Sequence, residues 1–205
     1  MRSMGRTLRR FLLEYEFGLR EVETKIAILR EEFLHMHSYN PIEHVSTRVK
    51  SPDSLLAKIR RRGVEMSMEA VRREITDIAG ARVTCSFTAD VYRLFDLLTQ
   101  QDDITVLDVK DYIADPKPSG YQSLHAVVQV PVFLSSGTAH VTVEMQFRTV
   151  AMDFWATLEH KIHYKFEGHV PPGLEAQLTE AAHIATDLDR RMEALHRSVH
   201  GDQRD

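Results

Sequence analysis

A single cysteine, Cys85, in 205 residues excludes an internal disulfide and fits a reducing cytoplasm. No apolar run is long enough to cross a bilayer. The stretch MRSMGRTLRRFLLEYEFGL is interrupted by Glu14 and Glu16, which reads against both a membrane span and a signal peptide. There is no Walker A pattern, which argues against a P-loop ATPase. The net charge of −4 lacks the basic field of a general nucleic-acid binder, so RNA is not an indicated partner. Neither an internal repeat nor a low-complexity tract occurs. Glu159-His160-x-x-His163 places the glutamate ahead of both histidines, the reverse of the zinc-protease order. His35 and His37 can meet a metal, but two surface histidines among eleven are ordinarily incidental. What is present, 43% hydrophobic and 27% charged residues, is the composition of a soluble globular protein.

Both ends read as long helices. Leu8, Leu12, Tyr15, Leu19, Val22, Ile26, Leu29, Phe33 and Met36 alternate steps of four and three, a heptad stripe. Leu174, Leu178, Ala181, Ala185, Leu188, Met192, Leu195 and Val199 repeat it after Pro171, Pro172 and Gly173. Packing within the chain covers such stripes as well as a second subunit does. Two regular stripes beside a domain with its own sheet to bury favour a homo-oligomer built through the terminal helices, with an even number of subunits.

Between the ends, Ser51-Pro52 opens a short helix that Gly63 closes. A second helix runs from about Ser67 to Ile75. Arg82 to Phe87 alternates as a half-buried strand, with Val83, Cys85 and Phe87 on one face and Arg82, Thr84 and Ser86 on the other. A helix at Ala89 to Gln101 precedes strand-like segments near Ile104–Ile113, Ser123–Val132 and His140–Arg148, and Thr149 to Lys165 is helical. The order predicts an α/β (α+β) domain with one mixed sheet of about five strands, flanked by helices. We read residues 1–205 as a single domain with its core at about 40–166 and helical extensions at 6–37 and 173–200.

Four segments carry chemistry. RVKSPDSLLAKIRRR, from Arg48 to Arg62, holds six cations against one aspartate, and Lys58 and Arg61 share a helix face. A cationic face beside a capped helix start suits a triphosphate, although a solvated charged face gives the same pattern. Asp77 precedes a strand and can hold a hard divalent cation; Arg82 on its polar face can stack on a purine or pair with phosphate. In the strand His140–Arg148, Thr142, Glu144, Gln146 and Arg148 share one face. An edge strand with a solvated face looks alike, yet these residues supply a base or metal ligand, an amide and a cation. The loop from Lys117 to His125 adds Tyr121, which can stack on a base or simply cover the core.

Together RVKSPDSLLAKIRR, DIAGARV, DYIADPKPSGYQSLH, VEMQFRT and MDFWATLEHKIHYK, in that order from about Arg48 to Lys165, resemble the synthetase domain of the RelA/SpoT family. The short chain and the FWATLEHK stretch resemble its small, stand-alone members. The resemblance implies a nucleotidyltransferase-like synthetase fold and transfer of the pyrophosphate of ATP to the 3′-hydroxyl of GDP or GTP, giving AMP and an alarmone of the stringent response. It implies that Arg48, Lys50, Ser51, Lys58 and Arg61 hold the ATP phosphates and that Arg82 stacks on adenine. Asp77 and Glu144 would be the catalytic, Mg²⁺-associated carboxylates, with Glu144 also activating the 3′-hydroxyl. Tyr121 would stack on guanine, and Lys117, Ser123, His125, Gln146 and Arg148 would line the acceptor's phosphates and ribose. Asp153 stands where some small synthetases carry Asn; a carboxylate accepts from guanine N1–H and the exocyclic amine equally well. The family's hydrolase domain has no counterpart, since no His-Asp dipeptide occurs. A cytoplasmic homotetramer is the expected form. Relatives of this domain also transfer pyrophosphate to adenosine nucleotides or the tRNA 3′ end, and a decayed site would leave a nucleotide- or RNA-binding regulator.

Overall fold

The computed structural model describes residues 2–165 and 173–200; Pro171 and Pro172 lie outside them. The chain runs α1 (Arg2–Met36), β1 (Ile42–Val49), α2 (Pro52–Arg62), α3 (Met68–Glu74), β2 (Ala79–Cys85), α4 (Thr88–Thr99), β3 (Thr105–Asp111), β4 (Leu124–Leu134), β5 (Gly137–Thr149), α5 (Val150–Lys165) and α6 (Leu174–His200). The strands form one sheet in the order β1-β2-β5-β4-β3. β2 pairs with β5 in parallel and the other three pairings are antiparallel, so the expected mixed five-stranded sheet is present.

Local signals account for most elements. Ser51 caps α2 by accepting from Ser54 N–H, Pro52 occupies the first turn, and Gly63 closes the helix in the left-handed region. Ser67 caps α3 in the same way. The strand expected from Arg82 begins at Ala79, because Ala79, Gly80 and Ala81 are too small to carry an alternation signal. β1 had no reading of its own in the sequence. It is an edge strand whose mostly exposed IEHVSTRV sequence buries fully only Ile42.

The sheet has one covered face. Ala79, Ala81, Val83 and Cys85 of β2, Leu124, Ala126, Val128, Val130 and Val132 of β4, and Val141, Val143, Met145 and Phe147 of β5 are all buried. α4 packs there through Phe95, edge-on to Phe147 at 6.0 Å. α1 packs beside it. A Cβ on Gly18 would stand 2.5 Å from a Val141 methyl, so glycine lets the helix axis approach the sheet. The α1 stripe is therefore core: Leu12, Tyr15, Leu19, Val22, Ile26, Leu29 and Phe33 are buried in the same cluster as the strands, each contributing roughly 1.5–3 kcal/mol. This corrects the reading of α1 as a helix left over for subunit contact: a sheet face needs a helical cover, and α1 is that cover. Cys85 lies in this core, where burial pushes its thiol pKa up to about 12.

The other terminal stripe behaves differently. α6 packs on α5 with Ala182 buried, while Ile184, Leu188, Met192, Leu195 and Val199 stay exposed. No helix among the described residues is long and apolar enough to cross a membrane.

Candidate active site

The period-2 alternation that buries one sheet face puts polar side chains on the other, and strand pairing arranges them in rows. One row runs Arg48–Gly80–Glu144–Val127 across β1, β2, β5 and β4; the next runs Ser46–Arg82–Gln146–His125. Glu144 thus stands between the cationic β1–β2 side and the aromatic–histidine β4 side. Residues 144–148 sit beside residues 80–84 only because β2 and β5 pair in parallel.

On the β1–β2 side, Asp77 lies at the entrance to β2. Its Oδ2 accepts from Lys50 Nζ at 2.8 Å and Lys58 Nζ at 2.5 Å, and Lys50 also donates to the Asp77 carbonyl. Burial opposes the charge on Asp77, but the hydrogen bonds and charges of the two lysines outweigh it and hold the carboxyl below its ordinary range. Its other oxygen, Oδ1, is buried without a partner. A buried carboxylate oxygen left unmatched is a costly arrangement that a cation would relieve. Arg48 and Arg61 are exposed beside this pair, and Ser51 spends its hydroxyl on the α2 cap and Ser54. Among the described residues no group of three or more His, Cys, Asp or Glu converges. Mg²⁺ suits a site of one or two carboxylates completed by substrate phosphates and water, so Asp77 and Glu144 are a fitting donor pair.

On the β4–β5 side, Tyr121, His125, Gln146 and Arg148 are bonded together. Arg148 Nη2 donates to the Tyr121 hydroxyl at 2.8 Å and to Gln146 Oε1 at 3.1 Å. The Tyr121 hydroxyl lies 2.7 Å from His125 Nε2. Burial, then the charges of Arg148, Lys117, Lys110 and Arg82, lowers the His125 pKa to about 4, so the ring is neutral at neutral pH. The other ring nitrogen, Nδ1, lies 3.9 Å from Glu144 Oε1. That contact joins a neutral ring to a carboxylate and is not an ion pair.

Lys117 hangs over the Tyr121 ring at 4.7 Å. Tyr112, which motif reading passed over although it lies inside DYIADPKPSGYQSLH, meets Lys117, Tyr121 and His125 through its ring. Ser123 is separate from this cluster: it is fully buried and donates to the Phe147 carbonyl.

Asp153, in the first turn of α5, joins the two sides. Its Oδ1 accepts from Arg82 at 3.2 Å and Arg148 at 3.0 Å. Burial first, then the Arg148 charge, pulls the Arg82 pKa down from its ordinary value. The Nε atoms of Arg82 and Arg148 are both buried without partners. Each guanidinium thus keeps one unmatched donor beside a carboxylate that the two already share.

The family model described as "Region found in RelA / SpoT proteins" matches residues 47–169. GTP pyrophosphokinase YwaC of Bacillus subtilis (strain 168) is 45% identical over 188 residues, covering 92% of this chain and 90% of that protein. The solved structure of small alarmone synthetase 2 from Bacillus subtilis superposes with a TM-score of 0.84 at 43% identity, over 93% of this chain and 98% of that one. Small alarmone synthetase 1 from Bacillus subtilis bound to its product pppGpp gives a TM-score of 0.86 at 38% identity, over 95% and 98%.

Proposed function

The chain belongs to the RelA/SpoT family, and from that premise we infer that its open sheet face moves the pyrophosphate of ATP onto the 3′-hydroxyl of GDP or GTP. It is a (p)ppGpp synthetase, and AMP is the second product. The observation that carries this reading is the position of Glu144, in register with Gly80 on one side and Val127 on the other. Its carboxylate lies 3.9 Å from His125 of β4, and its β2 neighbour Gly80 belongs to the strand that Asp77 precedes.

In the proposed division of labour, Arg48, Lys50, Lys58 and Arg61 hold the ATP phosphates and Arg82 meets adenine. Tyr121 stacks on guanine, while Lys117, His125, Gln146, Arg148 and Asp153 receive the rest of the acceptor. Ser51 acts through the helix cap and Ser123 through the backbone of β5. The acceptor's 3′-oxygen attacks the β-phosphorus of ATP, the bond from that phosphorus to the α–β bridging oxygen breaks, and AMP leaves with the electron pair. Glu144 takes the hydroxyl proton. Asp77 and Glu144 would hold Mg²⁺, which neutralises phosphate charge when bound. His125, neutral and hydrogen-bonded to Tyr121, orients rather than titrates.

The test is anion-exchange separation of the products formed from ATP with GDP, GTP, GMP or ATP as acceptor. Magnesium-dependent AMP release with a guanosine tetra- or pentaphosphate product supports the reading. Release only with an adenosine acceptor moves the specificity, and no release at all means a binding protein. The acceptor side has its own test. Tyr121→Ala should weaken guanine nucleotide binding by roughly 1–3 kcal/mol, the scale of base–aromatic stacking, with ATP binding little changed. Equal losses for both nucleotides in calorimetry would make Tyr121 a packing residue.

We propose a cytoplasmic homo-oligomer, a tetramer by resemblance to the small synthetases, assembled through the α5–α6 face. Phe154, Val150 and Leu158 of α5 and Ile184, Leu188 and Met192 of α6 are exposed along a groove of about 700 Å³. A continuous apolar surface of this kind marks an interaction site. Light scattering at micromolar concentration should give a multiple of 23.6 kDa, reduced by Leu188→Glu with Met192→Glu. A monomeric mass at all concentrations overturns the proposal. Leu19 and Val22 cannot serve in this test, because both are buried under the sheet within the chain.

A further inference from the structure

α6 lies outside the matched family region, yet one of its faces touches the immediate neighbours of two acceptor-side residues, Tyr121 and Arg148. Ala182, Thr186 and Asp189 are spaced four and three apart and so point the same way. Ala182 lies against Gly120, where a Cβ would come within 2.4 Å of the Ala182 methyl; Gly120 also has φ +86°. Glycine therefore meets two needs at once, a left-handed turn and contact with the helix. Thr186 donates to Gln122 Oε1 at 2.9 Å. Gly120 and Gln122 flank Tyr121, which packs against the cluster of Trp155, Ala156 and Ala182. The 117–121 turn is closed by Gly120 N–H to the Lys117 carbonyl at 2.8 Å and Lys117 N–H to the Tyr121 carbonyl at 3.1 Å. Its internal bonds fix its shape, and α6 fixes where it sits.

The third contact reaches the other side of the site. The buried Asp189 carboxylate accepts from the Thr149 hydroxyl. The Thr149 oxygen in turn accepts from Met152 N–H at 3.1 Å, capping the start of α5. Thr149 follows Arg148, and α5 carries Asp153 one turn later. Displacing Thr149 thus displaces both partners of the Arg148–Asp153 pair.

We propose that α6 is the positioning element of the acceptor site, with Thr186 and Asp189 as positioning residues that hold Tyr121 and the Arg148–Asp153 pair where the guanosine nucleotide is received. The phosphate end of the ATP side has no such link among the described contacts, since Lys50, Lys58 and Asp77 are held by β1, α2 and the β2 entrance; Arg82 alone meets the pair, through Asp153 at 3.2 Å. The inference rests on the reading of this face as a pyrophosphate-transfer site, and it assigns α6 to one substrate only.

The test is steady-state kinetics on the full chain. Thr186→Val removes a hydroxyl at nearly constant volume, and Asp189→Ala removes the cap acceptor. Each should raise the KM for GDP or GTP by about 10-fold, the scale of a small misplacement of binding groups, with the KM for ATP within a factor of about two. Asp189→Asn keeps an oxygen for the Thr149 hydroxyl and should restore the acceptor KM. Thermal melts establish that each variant is folded. A folded Asp189→Ala with unchanged acceptor KM, or equal changes for ATP and acceptor, overturns the proposal. Failure of the unaltered chain to form product would instead sink the underlying transferase reading, so the two failures are distinguishable.

Discussion

Glu144→Gln is expected to abolish turnover while both nucleotides still bind. The substitution keeps the length, planarity and most of the packing of a half-buried side chain in the middle of β5. It removes the negative charge and the basic oxygen that receives the 3′-hydroxyl proton. General-base help is worth about 10²–10⁴-fold in rate, and any lost metal organisation adds to that. The neighbouring His125 cannot substitute. Its Nε2 is engaged with the Tyr121 hydroxyl at 2.7 Å and its Nδ1 lies 3.9 Å from Glu144 itself, so neither ring nitrogen is turned to an incoming hydroxyl. The measurement is AMP release under single-turnover conditions, paired with calorimetry of each nucleotide. A Gln variant with near wild-type kcat would remove Glu144 from the mechanism.

Asp77→Asn should raise the magnesium requirement by at least about 10–100-fold, or abolish activity. Asp77 is the counter-charge for Lys50 and Lys58, and its Oδ1 is the unmatched oxygen of the donor side. An amide retains one acceptor for the lysines, so the fold should survive; it loses the charge that attracts a divalent cation. Magnesium titration of AMP release, with Mn²⁺ binding followed by electron paramagnetic resonance, reads the change directly. An unchanged titration counts against a metal role and leaves Asp77 as the organiser of the two lysines.

Local sequence determined a good part of this. Ser51, Ser67 and Gly63 act through bonds within a few residues, so helix boundaries were legible. Alternation determined the faces in the Arg82 and Glu144 strands: Glu144, Gln146 and Arg148 lie together because the side-chain period of a strand is two, whereas Arg48 stands in β1, which alternation did not reveal. The motif matches, each local, carried the transferase reading. What alternation cannot determine is which strand stands beside which. Only the parallel pairing of β2 with β5, through a connection of some fifty residues, sets Gly80 beside Glu144 and Arg82 beside Gln146. Likewise a heptad stripe states that an apolar face needs cover and not what provides it. The two terminal stripes look alike in sequence. α1 is buried under its own sheet, whereas α6 leaves Leu188, Met192 and Leu195 outside. Tyr112, Thr186 and Asp189 escaped notice for the same reason. Their importance lies in contacts with Tyr121, Gln122 and Thr149, and contacts between distant residues are decided by tertiary packing, not by residue type or spacing.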